Sequence, residues 1–176
     1  MSNFPLFKHL MLGDRYAQHA GAIFSEDAAK TYRFALWRSW DNHKPACNFI
    51  LLNPSTADGV SDDPTIARLK VRAKQAGFGG IVVTNVFAWR STSPDDLVKA
   101  ARSGRDVVGA DNDVILAKWA KHSEAVIIGW GKHAERAAPG RSAVVLGILK
   151  SLQVKVFAVA WNDDGSPRHP LYVPYA

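Results

Sequence analysis

Asn48-Phe49-Ile50-Leu51-Leu52 runs directly into Asn53-Pro54-Ser55-Thr56-Ala57-Asp58. A run dominated by bulky apolar side chains suits a strand covered on both faces. Asn53-Pro54 ends it, because proline fixes the backbone and has no N–H to donate to a sheet. The pattern recurs three times. Ile81-Val82-Val83-Thr84 ends in Asn85, and Ala125-Val126-Ile127-Ile128 ends in Gly129-Trp130-Gly131. Val156-Phe157-Ala158-Val159-Ala160-Trp161 leads into Gly165-Ser166-Pro167-Arg168-His169-Pro170-Leu171-Tyr172. Each apolar run carries an unusual polar or aromatic group at its carboxyl end. Ligands bind at that edge of an open α/β sheet, so four strands are expected to direct side chains to one place.

Helical signals separate the runs. Asp63-Pro64 reads as a cap followed by proline at the first helical position, with Ile66, Leu69, Ala73 and Ala76 at helical spacing and Gly77 as the stop. Ser93-Pro94 repeats the signal for a short helix through Ala101. Asp111 or Asn112 opens a helix carrying Ile115, Trp119 and Ala120, and Ser142–Leu152 forms another. Tyr32–Arg38 alternates as a strand near an edge, and the last strand spans Lys155–Trp161. The order β-β-α-β-α-α-β-α-β implies a three-layer α/β/α sandwich with a mainly parallel central sheet. A single α/β domain covers residues 1–176, with residues 1–30 as a peripheral N-terminal segment.

The chain has 176 residues, 47% of them hydrophobic, which is enough for one domain with a substantial core. No apolar run approaches the roughly 20 residues of a membrane span, and no secretory signal is visible. Cys47 is the only cysteine, which excludes a disulfide framework and a cysteine-based metal cluster. A cytoplasmic protein with no bound cofactor is expected. The formal charge of +6 permits an anionic partner, DNA or a nucleotide, but the basic residues are dispersed along the chain.

The residues at the strand ends supply candidate chemistry. Asn53 offers an amide donor and a carbonyl acceptor, and Pro54 and Ser55 in the turn behind it are expected to contact the substrate. Asn85 could pair with the edge of a base while Phe87 or Trp89 stacks on it and Arg90 lies beside it, although either aromatic alone is more often a core residue. Trp130 and Gly131 allow a pocket wall and a close backbone approach. His169 could act as acid or base or donate to a developing anion, and Arg168 could contact a phosphate. Asp58, Asp62 and Asp63 form an acidic cluster whose spacing matches no metal motif. No phosphate-binding glycine loop, hydrolase elbow or tandem-histidine metal motif is present.

From about Tyr32 to Tyr172 the chain resembles a bacterial and phage family known as a domain of unknown function, DUF1643. The resemblance rests on Leu52-Asn53-Pro54-Ser55-Thr56-Ala57-Asp58, Asp62-Asp63-Pro64-Thr65-Ile66 and Thr84-Asn85-Val86-Phe87-Ala88-Trp89-Arg90. Gly109-Ala110-Asp111-Asn112-Asp113, Trp130-Gly131 and Pro167-Arg168-His169-Pro170-Leu171-Tyr172 complete it. The same motif order is similar to the uracil-DNA glycosylase superfamily, a parallel α/β fold. That resemblance implies that Asn53 positions a hydrolytic water, Asn85 reads the flipped base and His169 stabilises the departing base anion. The pattern departs at Leu51, where glycine is usual, and at Leu171, where serine is common. The iron–sulfur cysteines of some branches are absent. The expected function is a nucleobase-binding protein resembling a DNA glycosylase that hydrolyses an N-glycosidic bond, with Asn53, His169 and Asp58 as catalytic residues. Asn is a weak base, so hydrolysis would either be slow or depend on Asp58 or Asp62. Two other readings stand beside it: a non-catalytic nucleic-acid-binding module, and a metal-assisted enzyme acting on small nucleotides.

Overall fold

A computed structural model describes residues 19–175. Of the segment expected to be peripheral, residues 1–18 lie outside the described residues. One six-stranded sheet runs in the order β1 (Ala20–Phe24), β2 (Arg33–Ser39), β4 (Gly80–Asn85), β3 (Ala46–Leu51), β5 (Ala125–Ile128) and β6 (Val156–Ala158). β3 pairs in parallel with both β4 and β5, and β5 with β6. β2 is antiparallel to both of its neighbours. The sheet is therefore mostly parallel, with the antiparallel pairs gathered at one side.

Among the described residues, five helices connect the strands: α1 (Pro64–Gln75), α2 (Pro94–Arg102), α3 (Asn112–His122), α4 (His133–Ala137) and α5 (Arg141–Ser151). Alternation along β3 sends neighbouring residues to opposite faces. Cys47, Phe49 and Leu51 pack with Ile66, Leu69 and Ala73 of α1. Ile50 and Leu52 pack on the other face with Leu97 of α2, Leu116 of α3 and Leu149 of α5. Ile66 and Leu69 are fully buried, a contribution of about 1.5–3 kcal/mol each.

Local chemistry sets the helix ends. The Ile66 N–H donates to Asp63 Oδ1 at 2.9 Å, and Pro64 occupies the first turn. The Asp95 N–H donates to Ser93 Oγ at 3.2 Å at the start of α2. Gly77 follows α1 with φ +83°, a left-handed conformation that glycine adopts without Cβ strain.

Three expectations change. Ala20–Phe24, read as peripheral, adds an edge strand, so β2 lies inside the sheet. The last strand covers only Val156–Ala158, and Phe157 is 53% exposed. Its apolar run sits at a sheet edge, where neighbours do not cover both faces. The short helix α4 was not anticipated. Among the described residues, no helix is long and apolar enough to cross a membrane.

The connections decide where a crevice opens. β3 leads to α1 on one face, whereas the neighbouring β5 leads to α4 and α5, whose packing is on the other. Carboxyl ends whose connections diverge leave a gap between them.

Candidate functional site

A cleft of about 840 Å³ lies at this divergence. Asn53, Ser55, Asn85, Trp130, Gly131, Arg168 and His169 all line it. They come from the ends of β3, β4 and β5 and from the loop after β6, far apart in sequence.

Asn53 is locked in orientation. Its Nδ2 donates to the carbonyl oxygens of Pro54 at 3.2 Å, Trp89 at 3.4 Å and Ser91 at 3.1 Å. With the amide nitrogen committed to carbonyls, Oδ1 is left as the acceptor, and among the described residues no donor is bound to it. Pro54 itself is buried behind Asn53, where its carbonyl also accepts from the Ser91 N–H at 2.9 Å. Pro54, expected to contact the substrate, instead shapes the turn and does not line the cleft, because it is buried.

Asn85 is 1% exposed, and its Oδ1 is buried with no hydrogen-bond partner. A buried unpaired amide oxygen costs roughly 1–3 kcal/mol, and the residue that carries it lines the cleft. The surrounding backbone is held rigidly. Asn112 Nδ2 donates to the Asn85 carbonyl at 2.9 Å and to that of Val86 at 3.2 Å. Arg141 adds two donors to the Val86 carbonyl and pairs with Asp113. The Gly109–Asp113 motif therefore supports Asn85 from behind.

His169 has a determined tautomer. The Leu171 N–H donates to its Nδ1 at 3.3 Å, so Nδ1 is the acceptor and the ring proton belongs on Nε2. Burial pulls its pKa down to about 4, with the Asp63 charge opposing. The ring is thus a neutral N–H donor near pH 7, with Tyr172 tilted against it at 5.7 Å between centroids.

The histidine loop is tied to β5. The Gly131 N–H donates to the Pro167 carbonyl at 2.8 Å, and the Arg168 N–H to that of Ala160 at 2.8 Å. A Cβ on Gly129 would stand 2.6 Å from Pro170 Cδ, too close for any side chain. Gly129→Ala is expected to destabilise the protein by about 1–3 kcal/mol through overpacking and to displace His169 with Pro170. Urea unfolding and the His169 ring resonances read the two effects. Unchanged ring resonances would show that Pro170 does not hold the histidine.

Other expected site residues lie elsewhere. Asp58 Oδ1 accepts from the Ser61 and Val60 N–H groups at 2.7 and 2.8 Å, which holds its carboxyl below the usual range, and it does not line the cleft. Asp62 is bound by Arg38 Nε at 2.8 Å and Lys70 Nζ at 2.7 Å. Phe87 is fully buried in the core beneath α2 and α3, on the sheet face opposite α1. Trp89 packs against that core and stacks under Arg105 at 5.7 Å. Arg90 lies over Phe24 at 5.1 Å and donates to the Lys30 carbonyl. Beyond Asn85 the chain turns across the top of the core, so these three side chains face away from the cleft. The three acidic residues of the cluster turn to different partners. Among the described residues, no group of three or more His, Cys, Asp or Glu gathers as a metal site.

Several cleft residues were not among the expected catalytic or substrate-binding residues. Asp63 caps α1 and also lines the cleft. Arg33 projects from β2, while Trp161 and Tyr172 line the cleft at 60% and 67% exposure. The charge is mixed, with Arg33, Lys132 and Arg168 against Asp63, Asp163 and Asp164. The exposed aromatics were legible as aromatic residues in a turn-rich loop, but their position required the fold.

Residues 33–171 match the family model described as protein of unknown function (DUF1643). No curated protein and no solved structure matches the chain.

Proposed function

The chain belongs to the DUF1643 family, and for this member we propose a nucleobase-binding site of DNA-glycosylase type that hydrolyses an N-glycosidic bond. The observation that carries the reading is the convergence of Asn53, Asn85 and His169 on one cleft, each with a free or polarised atom suited to a different task. The uracil-DNA-glycosylase-like fold belongs to the same proposal, supported by the mostly parallel sheet and the motif order.

Asn85 Oδ1 accepts from an N–H on the edge of the base, and Trp161 or Tyr172 stacks on its face or on a neighbouring base. Asn53 Oδ1 accepts from a water and aims its oxygen at C1′ of the sugar. The water oxygen bonds to C1′ as the bond from C1′ to the base nitrogen breaks, and that electron pair leaves with the base. The His169 Nε2–H donates to the resulting anion. The proton released by the water passes to Asp63, the carboxylate that replaces Asp58 and Asp62 in this role because it lines the cleft.

An abasic-site assay tests the reading. Single- and double-stranded oligonucleotides carrying uracil, mismatched thymine or deaminated bases are incubated with the protein, treated with alkali and examined for cleavage. Cleavage at one base is expected, reduced at least about tenfold by Asn53→Ala and by Asp63→Asn. Asn caps helices as well as Asp does, so Asp63→Asn removes the charge and keeps α1. Absence of abasic product from every substrate would overturn the hydrolytic assignment, and full activity in both variants would overturn the two roles.

One observation favours a second reading. The balanced charge of the cleft lacks the continuous basic surface that tracks a long nucleic-acid backbone. A free nucleotide or a short single strand suits it better than a long duplex.

A further inference from the structure

Among the described residues three arginines are buried, Arg33, Arg38 and Arg141. Two of them have carboxylate partners: Arg38 pairs with Asp62 at 2.8 Å and Arg141 pairs with Asp113. Arg33 has none among the described residues. It is 2% exposed, and its one side-chain hydrogen bond runs from Nη1 to the Ala57 carbonyl at 2.6 Å. Its Nε is buried without any acceptor. Arg33 nevertheless lines the cleft.

A buried guanidinium without an anion is costly, because hydration is lost and no Coulombic gain replaces it. The carboxylates that act on it do so from beyond ion-pair distance, Asp63 foremost and then Asp58. Neither bonds to Arg33: Asp63 Oδ1 accepts from the Ile66 N–H, and Asp58 Oδ1 accepts from the Val60 and Ser61 N–H groups. Burial pulls the Arg33 pKa down to about 10, with the Asp63 charge opposing.

We infer that Arg33 is a buried anion subsite of the cleft and that it takes a phosphate group carried by a nucleotide. The guanidinium nitrogens not used on Ala57 are donors of the kind that receive phosphate oxygens. The hydroxyls of Ser55, Thr56 and Thr92 line the same cleft and supply further donors. The unpaired Asn85 oxygen and the exposed rings of Trp161 and Tyr172 suit a base. The anion that accompanies a base is a phosphate, either the monoester of a free nucleotide or the diester of a strand. The inference extends the nucleobase reading without needing the hydrolysis, since phosphate binding with no abasic product leaves it intact.

The test uses the whole protein at constant ionic strength, set with chloride. Inorganic phosphate, nucleoside 5′-monophosphates and a short oligothymidylate without terminal phosphate are titrated, with thermal unfolding and the Arg33 Nε–H resonance as readouts. At a hundredfold excess over Kd, phosphate is expected to raise Tm by about 5 °C or more and to shift that resonance. Arg33→Met should abolish the Tm response. A larger response to monophosphates than to the oligomer assigns the monoester, and the reverse assigns the strand. A wild-type protein in which phosphate does no more than chloride to either readout overturns the inference, as does a Tm response that survives in Arg33→Met. If that variant fails to fold, the wild-type resonance still decides.

Discussion

Arg38→Met is expected to cost about 3–5 kcal/mol, the range for breaking a buried charge network, and to release the segment between Asn53 and α1. Arg38 lies on β2 at 5% exposure and spends its donors on that segment. Nε binds Asp62 at 2.8 Å, and Nη2 donates to the carbonyls of Asp58 at 2.8 Å and Ser61 at 3.1 Å. Nη1 donates to the carbonyls of Trp37 at 2.8 Å and Gly59 at 3.3 Å. Methionine fills similar space and supplies no donor. Each acceptor left buried and unpaired costs about 1–3 kcal/mol, and the total is limited by the water that reaches an opened loop. For a domain of this size the loss lowers Tm by roughly 10 °C. Arg38→Lys should recover little, because an ammonium cannot reproduce the planar fork. Urea unfolding measures the cost, and amide exchange at Val60 and Ser61 reports the loop. A loss below about 1 kcal/mol, the scale of an exposed ion pair, would mean that the segment holds itself.

Under the proposed glycosidic hydrolysis, His169→Ala is expected to lower the rate of base release about 10²–10³-fold, the usual scale for one donor at a developing anion. Substrate affinity should change little, because the donor acts on charge that exists only in the transition state. The pH dependence separates this role from that of an ordinary histidine. With the folded pKa at about 4, the ring keeps its neutral form from pH 7 down to pH 5, so activity should show no limb near 6.5 from this residue. Stability follows the opposite-looking course. Below pH 6.5 the unfolded histidine takes up a proton that the folded one refuses, so folding weakens as pH falls. The loss reaches about 3 kcal/mol by pH 4 and then levels off. That share of acid sensitivity should be missing from His169→Ala in urea titrations at pH 7, 5.5 and 4. A rate limb near 6.5 lost with the histidine would show that it works as an ordinary exposed base.

Legibility differed from residue to residue for physical reasons. Asn53, Asn85 and His169 were readable because each closes an apolar run or opens the loop after one, and parallel strands deliver their carboxyl ends to one edge. Asp63-Pro64 and Ser93-Pro94 were readable because capping is a contact within three residues. Phe87, Trp89 and Arg90 were misplaced because nothing within the motif tells which way the chain turns after Asn85. Asp58 was misplaced because its own loop satisfies it through two backbone N–H groups.

Arg33 was hidden for a sharper reason. In an unbroken strand, Arg33 and Arg38 are an odd number of residues apart and point to opposite faces. The β1–β2 register shifts, however. Ile23 lies opposite Ala35 and Phe24 opposite Arg33, so Phe34 is skipped and the alternation is interrupted. Both arginines then reach the segment after Asn53, one through Ala57 and the other through Asp58, Gly59 and Ser61.

By itself the sequence determined the alternation of buried strands and capped helices, the mostly parallel sheet and the strand ends that face the cleft. Those features depend on hydrophobic period and on contacts within a few residues. Only the tertiary structure decided which carboxylate lines the cleft, which aromatics are core, which arginine lacks an anion and which imidazole nitrogen carries the proton. These depend on strand register, on burial and on hydrogen-bond partners that the fold brings together from distant parts of the chain.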